Sequence, residues 1–100
     1  MDIERFMDFI AAQDTIKYSY NADGINEYNK MQIVYATTKV DTIVIAGTEA
    51  EIEIDISAIK EIRHNPETRV IRLIQNDGEL NIYYPSPGDN FWIYVDRFKE

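Results

Sequence analysis

The chain has 100 residues, 45% hydrophobic and 28% charged, enough for one globular domain over residues 1–100 and too few for a second core. No apolar run approaches the ~18 residues of a membrane span, and the absence of cysteine excludes disulfides, thiolate metal sites and a cysteine nucleophile. Eighteen acids against ten bases leave a net charge of -8, which repels nucleic-acid and lipid phosphates and attracts basic protein surfaces.

The opening Met1-Asp2-Ile3-Glu4 carries acids where an export signal carries bases, so a cytoplasmic protein is expected. A helix is predicted next. Ile3, Phe6, Met7 and Ile10 recur at helical spacing, Phe9 widens the stripe, and Asp2 is placed to cap the first amides. It should end near Ala12 or Gln13. About ten residues are marginal alone, so the stripe must pack on something.

Strands follow. Thr15 to Tyr20 alternates, with Ile16, Tyr18 and Tyr20 on one face. Asn21-Ala22-Asp23-Gly24 is a turn signal, and residues 25–30 fit a helical turn or a loop equally. Gln32 to Thr38 and Val40 to Ala46 read as strands, the second closed by Gly47. Glu49 to Ile56 alternates most cleanly, with Ala50, Ile52, Ile54 and Ile56 opposed to Glu49, Glu51, Glu53 and Asp55. Ile56, Ile59 and Ile62 then fall three apart, which predicts a corner at Ser57-Ala58 and a short strand toward His64.

Asn65-Pro66-Glu67-Thr68 is a turn, with His64 expected in solvent beside it. Arg69 to Gln75 is a strand with Val70, Ile71, Leu73 and Ile74 as core candidates, and Asn76-Asp77-Gly78 is a hairpin signal before Glu79 to Tyr84. Ser86-Pro87-Gly88-Asp89 resembles a helix start, and Phe91, Tyr94, Val95 and Phe98 then share a helical face. A closing helix over 87–99 is predicted, although Phe91 to Val95 has strand composition. The expected class is α+β and mainly β: six to seven short antiparallel strands in a curled sheet or small barrel, with helices at both ends. Pleckstrin-homology-like and Sm-like barrels share this layout, without a motif that carries membership.

Catalytic and metal chemistry find little support. The one histidine has no serine in a Gly-x-Ser-x-Gly elbow to serve, and transition-metal sites want several His or Cys. Setting Asp23-Gly24 in a calcium-loop frame puts Ser19 first and Lys30 where a bidentate Glu belongs. The four glycines stand apart, so no phosphate-cradling loop exists. Carboxylates are plentiful, but a carbohydrate cleft needs more wall than this chain provides. No catalytic residue, metal or cofactor is therefore expected.

The charge distribution is more informative. Residues 1–57 hold eleven acids and four bases, and Asp41 to Asp55 holds five acids and no base. Successive ladder carboxylates stand about 6.6–6.8 Å apart on one strand face. The bland explanations are a solvated edge strand or pairing with Lys39, Lys60, Arg63, Arg69 or Arg72 on neighbouring strands. The functional expectation is that Glu49, Glu51, Glu53 and Asp55, joined by Asp41 and by Tyr83 from the tyrosine-rich remainder, dock on a basic protein surface. The expected function is a non-enzymatic inhibitor or immunity-type protein that occludes such a surface by mimicking nucleic acid. It would bind neither nucleic acid nor membrane itself. The alternative is a barrel-like scaffold acting through self-association, as in a homodimer.

Overall fold

The structure is a computed structural model that describes residues 1–20 and 29–84. The turn at 21–24, the ambiguous residues 25–28 and the closing helix expected over 87–99 lie outside them. Helix α1 (Ile3–Ala11) is followed by strands β1 (Thr15–Tyr20), β2 (Asn29–Lys39), β3 (Thr42–Gly47), β4 (Glu51–Asp55), β5 (Ile59–Asn65), β6 (Val70–Gln75) and β7 (Glu79–Tyr83). The seven strands form one antiparallel sheet in the order β4-β3-β2-β1-β7-β6-β5.

Strands β4 and β5 are the two edges, yet only the 3-10 turn Ile56–Ala58 separates them in sequence. A flat seven-stranded sheet would hold its edges about 29 Å apart, whereas the four steps from Asp55 to Ile59 span at most about 14 Å. The sheet must therefore curl until its edges converge at that corner. It does not close into a barrel. The corner is the one expected at Ser57-Ala58, and Asp55 builds it by accepting bonds from Ser57 N (3.0 Å) and Ser57 Oγ (2.8 Å).

One core fills the concave side. Rows of paired residues supply it: Ile16 beside Met31, Ile54 beside Ile43, Ile52 beside Ile45, Leu73 beside Leu80 and Ile71 beside Ile82. Each fully buried side chain of this kind contributes about 1.5–3 kcal/mol. Val70 and Ile74, also expected in the core, are half-buried on the convex face because they alternate with Ile71 and Leu73.

Helix α1 lies across the open side. Asp2 caps it by accepting from Arg5 N at 2.8 Å, and Phe6 and Ile10 are fully buried in the core. The helix is tied at both ends. The Met1 ammonium donates to Ile62 O on β5 at 3.3 Å, and Asp14 O accepts from Ile33 N on β2 at 2.8 Å. The marginal helix expected from sequence thus spans the gap between the two halves of the curled sheet.

The β2–β3 connection departs from expectation. The sequence places Val40 in a strand, but Lys39 pairs with Thr42, leaving Val40 and Asp41 as the turn. Val40 adopts φ 52° and is 96% exposed. A left-handed conformation costs an L-residue about 1–2 kcal/mol, and β-branching makes it worse. At Gly47 the constraint is space: a Cβ would collide with Met31 Cγ. Replacing Val40 by asparagine, which tolerates positive φ and removes an exposed valine, should raise stability by about 1 kcal/mol. An increased urea midpoint at unchanged slope checks this; a lower midpoint would place the strain elsewhere.

Candidate functional site: an acidic edge strand

Strand β4 owes its geometry to its alternation. Ile52 and Ile54 are almost fully buried, so Glu51, Glu53 and Asp55 must project from the convex face, where all three are exposed. Their cross-strand neighbours on β3 are Ala46, Val44 and Thr42, which carry no charge. β4 is an edge among the described strands, so none of them offers a base on its other side.

The expected pairing with bases is not found. Among the described residues, the ion pairs are Arg63 with Glu61 at 3.0 Å and Arg72 with Glu79 at 2.7 Å. Neither involves the ladder. Lys39 is exposed and sits opposite Thr42, and Lys60 is exposed on β5. The row is uniformly negative, and among the described residues no base forms an ion pair with it.

Two further ladder residues are placed differently. Glu49 is exposed but precedes β4, in the two-residue turn after Gly47, so it does not belong to the regular row. Gly47 N donates to Ala50 O at 2.7 Å and closes that turn. Asp41 is exposed in the β2–β3 turn at the other end of the row. Its carbonyl accepts from Ile56 N at 2.8 Å, which sets it beside Asp55. The acidic surface therefore runs from the Glu49 turn along Glu51, Glu53 and Asp55 to Asp41.

Tyr83 has to be removed from the site. β7 is an interior strand between β1 and β6, and Tyr83 is 1% exposed. Its ring has Lys17 Nζ 5.8 Å and the Arg69 guanidinium 5.7 Å from its centroid, and its hydroxyl accepts from Arg69 Nη2 at 3.1 Å. A tyrosine held in this way cannot meet a partner. The exposed aromatics on described strands are Tyr20 and Tyr35 instead. Tyr35 lies in the same cross-strand row as Ala46 and Glu51, next to an irregularity between Ile33 and Tyr35 that leaves Val34 exposed.

His64 also differs from its expected place. It is the penultimate residue of β5, opposite Ile71, and half-buried. Its Nε2 hydrogen-bonds the Tyr84 hydroxyl, and both rings pack on Phe9 of α1, at centroid distances of 5.3 and 4.6 Å. The histidine fastens the helix to the sheet rim. No group of three or more His, Cys, Asp or Glu side chains suited to a metal ion occurs among the described residues. No helix among them is long and apolar enough to cross a membrane. No family model, curated protein or solved structure matches the chain.

Two outcomes are expected. Neighbouring carboxylates two residues apart repel by on the order of 0.6 kcal/mol in water before salt screening. Glu53→Gln should therefore stabilise the fold slightly at low salt, with the gain vanishing in 1 M salt; a salt-independent difference would show that repulsion is not the cause. Burial holds the Tyr84 hydroxyl above its ordinary value of 10.0 despite the nearby Arg69 charge, and burial together with Tyr18 does the same for Tyr20. Tyrosines raised in the folded state contribute stability that is intact below about pH 10 and lost as pH climbs past the folded value. Tyr84→Phe should cost about 1 kcal/mol at neutral pH through the lost His64 bond and make the alkaline decline shallower. Urea unfolding at pH 7 to 11 measures both.

Proposed function

We propose that this chain is a non-enzymatic, cytoplasmic binding protein that occludes a basic surface on a protein partner, of the inhibitor or immunity type. The observation that carries the reading is the in-line row Glu51, Glu53 and Asp55, which faces solvent from an edge strand beside uncharged Ala46, Val44 and Thr42. A row of like charges is a poor choice for stability alone. It becomes favourable when a complementary surface neutralises it, and the net charge of -8 would speed that encounter by electrostatic steering.

The nature of the basic surface follows from the spacing. Carboxylates about 6.6–6.8 Å apart on a strand make a regular linear array of negative charge, as phosphates do along a nucleic-acid strand. A surface built to bind such phosphates would accept the row, so the proposed target is a nucleic-acid-binding site. Occlusion then needs no chemistry from this chain, only charge held in a fixed line by a rigid sheet.

The test is capture from the source cell. Immobilised chain should retain basic proteins that elute as salt rises, and adding free chain should displace nucleic acid from them. Glu51→Lys with Glu53→Lys should abolish retention while leaving the circular dichroism spectrum unchanged, because both side chains project into solvent. Retention of the same proteins by that double variant would sink the proposal.

A further inference from the structure

The two edges of the sheet differ in what their backbones offer. On β5, the Ile62 carbonyl points away from β6 and accepts from the Met1 ammonium at 3.3 Å, so one acceptor of that edge is engaged. On β4, the hydrogen-bond phase is fixed from both ends. Gly47 N donates to Ala50 O, and Ile56 N donates to Asp41 O. In an antiparallel ladder, hydrogen-bonded and non-hydrogen-bonded pairs alternate. The 47–50 and 41–56 pairs being bonded, the pairs of Ile45 with Ile52 and of Ile43 with Ile54 are bonded too, and those of Glu51, Glu53 and Asp55 are not. The N–H and C=O groups of Glu51 and Glu53 and the N–H of Asp55 therefore point outward from the sheet, while the Asp55 carbonyl opens the 3-10 turn Ile56–Ala58. Among the described residues, no backbone bond outside the strand pairing reaches Glu51 or Glu53.

The residues whose backbone groups face outward are thus those with outward carboxylates. A strand added to this edge would find main-chain donors at Glu51, Glu53 and Asp55 and acceptors at Glu51 and Glu53. Each would lie beside a negative charge on the convex face and be separated from the next by Ile52 or Ile54 on the concave face. We infer that β4 is a strand-addition site for an extended segment of the partner with Lys or Arg at alternate positions and apolar residues between them. Each base would then stand directly across from Glu51, Glu53 or Asp55, where opposite charges on one face attract. This inference rests on the acidic-surface reading above and adds how the partner is held.

A second copy of the chain does not suit the edge. Pairing β4 antiparallel with itself would set Glu53 against Glu53 and Glu51 against Asp55, a like-charge arrangement that repels. On the β5 edge of a second copy the outward Ile62 carbonyl already accepts from Met1, and Glu61 on that strand adds another acid. Charge complementarity leaves the basic segment as the occupant.

The probe is the capped peptide Lys-Val-Lys-Val-Lys, titrated into the intact chain alongside the same peptide methylated on its lysine backbone nitrogens. Methylation keeps every charge and removes the donors that would face β4. The unmethylated peptide should bind at least tenfold more tightly, and its binding should slow hydrogen exchange at the amides of Glu51, Glu53 and Asp55. Equal affinity without that protection, or no binding of either peptide, overturns strand addition and leaves the acidic-surface reading standing. That reading falls separately, if the charge-reversed double variant retains the same basic proteins.

Discussion

The register of β4 on β3 is the constraint on which the rest of the surface depends. Ile54 lies opposite Ile43 and Ile52 opposite Ile45, all four within the core, so the strand cannot turn over without exposing two isoleucines and burying three carboxylates. A one-residue slip would do this, and no stable fold would tolerate it. The direction and line of the acids follow from apolar burial, with no hydrogen bond between the acids needed to hold them. The same register also turns the backbone groups of those residues outward, because in an antiparallel pair the face and the hydrogen-bond phase both repeat every second residue.

The N-terminal helix makes the two edges unequal. Its stripe buries Phe6 and Ile10 across the gap that the curl leaves, and its ends reach β5 through Met1 and β2 through Asp14. The contact of Phe9 with His64 and Tyr84 adds a third attachment on the β5 side. The helix secures the half of the molecule that carries β5. On β4, protection against promiscuous pairing comes from charge instead. An edge guarded by charge refuses neutral and acidic strands but invites basic ones.

Much of this was legible in the sequence where a single local rule decides. The alternation of Glu51 to Asp55, the Asp2 cap and the Asn76-Asp77-Gly78 hairpin each correspond to an observed element. Thr15 to Tyr20 is a strand, although Lys17 and Ser19 on its polar face are buried and Tyr20 on its apolar face is exposed. The candidate row was legible for the same reason. Misreadings arose where tertiary placement overrode the local signal. His64 borders Asn65-Pro66 and looks like part of the turn, yet Phe9 lies far away in sequence and close in space, and it draws the imidazole inward. Tyr83 could be judged only once β7 was known to be interior to the sheet. Val40 has strand composition, and nothing local announces that the pairing of Lys39 with Thr42 will force it into a turn. That the described neighbours of the acids carry no base could not be foreseen either, since it depends on which strands are adjacent.

The rest of the sheet provides an internal control for the meaning of the acidic row. On β5 and β6, Arg63 stands directly opposite Arg72, a like-charge pair of the kind that destabilises sheets. There the molecule answers it: Glu61 binds Arg63, and Glu79 from β7 binds Arg72 through both Nε and Nη2, at 2.8 and 2.7 Å. The fold evidently has the means to interleave opposite charges on its convex face. On β4 it does not do so: the residues opposite the acids are the buried Ala46 and Val44 and the half-buried Thr42, none of them charged. Solubility alone would be served as well by mixed charge. A row left uniform on an edge of the described sheet, where β5 and β6 answer their like-charge pair with acids, is the feature on which the proposed basic counterpart rests.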